Sequence, residues 1–90
     1  MIEVERRGEQ GEVVTVVVRV REDGSETTHE VTVRARDLAK LGRPSESPES
    51  FVRRSFEFLL AREPKEAILS SFDVTVIGRY FPEFERAIRG

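Results

Sequence analysis

Cysteine and tryptophan are absent from this 90-residue chain, and histidine and methionine occur once each. Without cysteine there are no disulfides and no thiolate metal sites. A lone histidine, His29, has no second imidazole to share a metal ion or to activate a serine nucleophile. No apolar run approaches the ~20 residues that a membrane-spanning helix needs. Met1-Ile2-Glu3-Val4-Glu5 lacks the basic and apolar regions of a secretion signal, so a cytoplasmic location without membrane contact is expected. Charge of one sign is missing too. Fifteen basic and seventeen acidic residues leave a net −2, which argues against a polybasic tail or an acidic decoy. Only Lys40 and Lys65 are lysine, the other basic residues being arginine, a skew that points to a GC-rich genome before it points to recognition. The six glycines are scattered and nowhere form a phosphate-cradling loop. Internal repeats and low-complexity segments are also absent.

What is present reads as one α+β domain over residues 1–90, with a β-meander half (1–36) and a helical half (37–90). The clearest local signal is a hairpin. Two runs rich in β-branched residues, EVVTVVVRVR (12–21) and ETTHEVTVRAR (26–36), flank Glu22-Asp23-Gly24-Ser25. Asp-Gly at such a junction favours a two-residue type I′ turn, which fixes the register. Val20 then faces Thr27, Val18 faces His29, Val16 faces Val31 and Val14 faces Val33, all on one face. The other face carries Thr15, Arg19, Arg21, Thr28, Glu30, Thr32 and Arg34, with Val13 and Val17 as apolar exceptions, and Arg21 opposes Glu26. Residues 2–7 alternate apolar and charged before the loop Gly8-Glu9-Gln10-Gly11, giving a first strand and a three-stranded antiparallel meander.

The back half should cover the apolar face of that sheet. Asp37 to Leu41 can form one helical turn capped by Asp37. Ser47-Pro48 is a strong helix start, and Pro64 sets the end near Glu63. Over 48–63, Phe51, Val52, Phe56, Phe58, Leu59 and Leu60 cover half the circumference, which makes this helix central. Arg53 and Arg54 are spaced to pair with Glu57. Two or three short helices follow. Pro64 opens one holding Ala67, Ile68, Leu69 and Phe72; Asp73 caps another from Val74 to Tyr80; Pro82 opens a last turn through Phe84 and Ile88. The β-propensity of Val74-Thr75-Val76-Ile77 makes a strand the alternative over 73–77.

The segment FVRRSFEFLLAREPKEAILSSFDVTVIGRYFPEFE (51–85) resembles the C-terminal part of a family of small uncharacterised bacterial proteins that carry LLxREPKExILxxFD and VIxRYFPEFE. The resemblance implies helices after Glu63 and Asp73. It implies no activity and transfers no site residue.

No catalytic constellation stands out, so an enzyme is not expected and neither is a cofactor. His29 falls on the apolar face near the turn and reads as a histidine at the rim of the core. Ser47 reads as a helix cap, and the Glu63/Glu66 and Glu83/Glu85 pairs read as solvated helix ends rather than converging acids. The aromatic residues all lie between Phe51 and Phe84. Tyr80, Phe81 and Phe84 near the C-terminus are the candidate exposed patch for a protein partner, and Val13 and Val17 a second contact or a homodimer interface. The expected function is therefore a small interaction or regulatory domain. The alternative is a weak, sequence-indifferent RNA or DNA binder using Arg19, Arg21 and Arg34 with Arg36, Lys40 and Arg43. It lacks the aromatic platform used by sheet-based RNA binders. A helix-turn-helix over Pro64–Tyr80 would offer only Thr75 and Arg79 as base readers.

Overall fold

Asp23 and Gly24 both take positive φ, +54° and +78°, the signature of the type I′ turn. The computed structural model describes residues 1–90. That turn joins β2 (Val13–Glu22) to β3 (Ser25–Arg34) in the expected register, with Val18 opposite His29 and Val14 opposite Val33. β1 (Ile2–Gln10) pairs antiparallel with β2. It runs three residues beyond the expected end. The register shifts between Arg6 and Gly8, so Arg7 is a bulge and the pairing continues through Glu9 and Gln10. The connection shrinks to Gly11-Glu12, with Gly11 at φ +61°.

The sheet has a fourth strand that the sequence reading does not contain. β4 (Ser71–Asp73) lies parallel to β3, pairing Glu30 with Ser71 and Thr32 with Asp73. The order is β1-β2-β3-β4, so the sheet is mixed and the three-stranded meander is only part of it. The parallel pairing is possible because the chain between β3 and β4 is long enough to cross over.

That crossover holds α1 (Ala35–Leu41) and α2 (Pro48–Leu60). α1 starts directly from β3, two residues before the expected cap. Asp37 lies in its first turn rather than capping it. α2 is capped as expected, with the Ser47 hydroxyl accepting from the Ser50 amide at 3.1 Å and Pro48 at the first position. It stops three residues short of Glu63 because the Arg62 and Glu63 amides both turn back to the Leu59 carbonyl. After Pro64 come a 3-10 turn (Lys65–Ala67), β4, a second 3-10 turn (Val74–Val76), α3 (Ile77–Tyr80) and α4 (Phe84–Arg89). Beyond Asp73 the helical alternative holds. The Asp73 carboxylate accepts from the Thr75 amide, as a cap should.

One apolar cluster fills the space between sheet and helices. Val14, Val16, Val18, Val20, Val31 and Val33 meet Phe51, Val52, Phe56, Phe58 and Leu59 of α2, with Ile68, Val74, Ile77, Phe84 and Ile88 from the short elements. Fully burying side chains of this size contributes about 1.5–3 kcal/mol each. His29 belongs to this interior and not to its rim. It is 2% exposed and stands 5.2 Å from the Phe56 ring. No helix is long and apolar enough to cross a membrane.

Candidate functional site

Pro64, Asp73 and Pro82 break the chain after α2 into elements of three to six residues. Pieces this short cannot tile the end of the core completely. They leave an apolar groove of about 310 Å³ between the end of α2, the 65–69 segment, β4 and α3. Leu59, Ile68 and Ile77 are buried in it, whereas Leu69 and Tyr80 stand at its edge, 47% and 67% exposed. Phe72, Val76 and Phe81 line the walls. Nine of the ten lining residues are hydrophobic, and the tenth is Glu63. Glu63 is half-buried and takes part in no ion pair.

His29 holds one wall in place. Its Nδ1 lies 2.7 Å from the Leu69 carbonyl oxygen and its Nε2 2.8 Å from the Thr27 hydroxyl. A carbonyl only accepts, so Nδ1 donates to it, while Nε2 shares its hydrogen bond with a hydroxyl that can either donate or accept. Both nitrogens are thereby engaged, and His29 positions the groove rather than offering a free base. From the other side Lys65, 4% exposed, ties the 3-10 turn to the hairpin by donating to the Glu22 carbonyl at 3.2 Å. Its ammonium also pairs with Glu66 at 2.8 Å.

The sequence-predicted contact residues divide. Tyr80 is exposed and Phe81 half-buried, both at the groove. Phe84 is a correction. It is 2% exposed and packs edge-on against Phe58 at 5.1 Å, because the chain reverses after Phe81 and α4 points it inward. Val17 is a second correction. It is 2% exposed although it lies on the outer face, between Glu5 and Glu30 in the register, whose long side chains can fold over it. Val13 is half-buried near the end of the same strand. Neither valine gives an open apolar face.

The basic residues do not assemble into one free surface. Arg19 pairs with Glu5 at 3.6 Å. Arg21 is held between Glu26 and Glu3, the latter at 3.5 Å. Arg36 lies 3.8 Å from Asp37. Arg34, Lys40 and Arg43 are exposed and make no ion pair. Arg53 and Arg54 do not pair with Glu57 as their spacing predicts. Arg53 donates to the Ile2 carbonyl at 2.7 Å. Arg54 makes a bidentate pair with Glu46, at 2.8 and 2.7 Å, and donates to the Ile88 carbonyl. Glu46 also accepts from the Ser50 hydroxyl and the Arg43 amide. The Arg54 guanidinium and these further donors hold the Glu46 carboxyl down at about 2, against a usual 4.5. This cluster joins α2, the 42–47 linker and α4.

Sequence reasoning missed the groove as a unit. Tyr80 and Phe81, named as a contact patch, mark one edge of it, while Leu69 reads in the sequence as one of the apolar members of a short helix. No protein-family model matches the sequence, and no curated protein or solved structure is significantly similar to it.

Proposed function

We propose that this protein is a small cytoplasmic interaction or regulatory domain that works by protein contact and not by catalysis, with the groove beside Tyr80 as its docking face. One observation carries the reading. Two large apolar side chains, Leu69 and Tyr80, stand exposed at the edge of an apolar groove floored by the buried Leu59, Ile68 and Ile77. Exposed apolar surface gathered around a concavity is the usual mark of a contact site. Nucleic-acid binding through the hairpin arginines is the competing reading. The carboxylates on Arg19 and Arg21 weigh against it, since phosphate would have to displace them.

The test is affinity capture of tagged protein from its host lysate after nuclease treatment. The wild type should retain a protein in stoichiometric amount, whether another protein or an untagged copy. A Leu69→Ser, Tyr80→Ser variant should lose it while melting near the wild-type temperature. Retention by that variant, or bound material that disappears with nuclease, would refute the proposal.

A further inference from the structure

Resting on the contact reading above, we infer that the groove's occupant is a second copy of this chain. A two-fold axis would seat Tyr80 of each copy in the other's groove and set Glu63 against the partner's Arg79. The first ground is shape. Only three large apolar side chains are exposed on the whole molecule, Met1, Leu69 and Tyr80, and two of them flank this groove. A projection and a recess on one patch make that patch self-complementary, which is what a two-fold interface requires.

The second ground is charge. Covering the groove with a purely apolar partner would strand the Glu63 carboxylate, which has no cation in its own fold. The occupant must therefore bring a cation or a strong hydrogen-bond donor. Arg79 adjoins Tyr80 in α3, is exposed, and makes neither an ion pair nor a side-chain hydrogen bond. The Tyr80 phenol is likewise without a partner. A second copy supplies both groups beside the ring that would enter the groove. Symmetry makes each pairing twice, so one complementary pair of charges counts double.

Sedimentation velocity over a dilution series tests this on four proteins: wild type, Glu63→Arg, Arg79→Glu, and the two changes together. Glu63 is half-buried and Arg79 exposed, and thermal melts check that each variant folds. The wild type should be dimeric at the concentrated end. Each single reversal should weaken association roughly tenfold or more, and the double variant should recover most of it. A wild type that stays monomeric throughout overturns the inference. So does a dimer indifferent to the reversals, or one that the double variant fails to restore. If the wild type is monomeric yet Leu69→Ser, Tyr80→Ser still loses a captured protein, the dimer falls and the contact reading stands. If that variant loses nothing, both fall.

Discussion

Glu46 and Arg54 form the most buried ion pair of the molecule, 4% and 15% exposed in their side chains. Because the folded pKa of Glu46 lies below its unfolded value, the pair contributes stability that is fully present above pH 4.5. That contribution is lost as the pH falls through about 2. The shift corresponds to at most about 3 kcal/mol, because solvent screens part of the pair. Unfolding free energy measured from pH 6 to pH 2 should therefore fall more steeply for the wild type than for Glu46→Gln. The variant should be less stable at pH 7 by a similar amount, since Arg54 is then left without its carboxylate. Equal pH slopes for the two proteins would contradict this role. The same scale separates two aromatics only four residues apart. Phe84→Ala should cost about 3–5 kcal/mol, as expected for a buried phenylalanine. Tyr80→Ser should change the unfolding free energy by no more than about 0.5 kcal/mol, as expected for an exposed site. Comparable losses for both would place Tyr80 in the core and remove the contact face.

Among the elements, the β2–β3 hairpin is the one its local chemistry specifies most completely. Gly24 sits at φ +78° with open space where a Cβ would be, so Gly24→Ala meets backbone strain and no clash. It should destabilise by about 1 kcal/mol, with the register intact in amide exchange. Turn chemistry and face pattern agree here, which is why pairings such as Val16 with Val31 were legible in the sequence. β4 was not legible. Three residues, Ser71-Phe72-Asp73, carry no period, and their place is decided by β3, 41 residues away, through contacts such as Thr32 Oγ1 donating to Asp73 Oδ1 at 2.7 Å. The extension of β1 past Gly8 was hidden for a related reason. A bulge at Arg7 breaks the alternation on which strand reading rests. Pro82 likewise resets the helical phase after Phe81, so spacing could not tell which of Tyr80 and Phe84 points inward.

For the whole molecule, the division of labour follows from where the chain is regular. The long strands and α2 enclose the valine and phenylalanine core, and most of their arginines, though not Arg7 and Arg34, are engaged by local carboxylates and backbone carbonyls. Only where proline and aspartate chop the chain into short pieces does the core stay imperfectly covered, and there the groove opens. The groove is a property of packing among three short elements and of no motif, so it could not be read residue by residue. Its composition also supplies its own probe. Tyr80 is the sole tyrosine and there is no tryptophan, so ultraviolet emission excited at the tyrosine band reports this edge alone. The most direct measurement is acrylamide quenching of that emission, first in dilute protein and then in the associated state, whether self-associated or bound to a captured partner. Tyr80 should be readily quenched when dilute and markedly protected on association. Association with Tyr80 still fully open to quencher would contradict its place at the contact face.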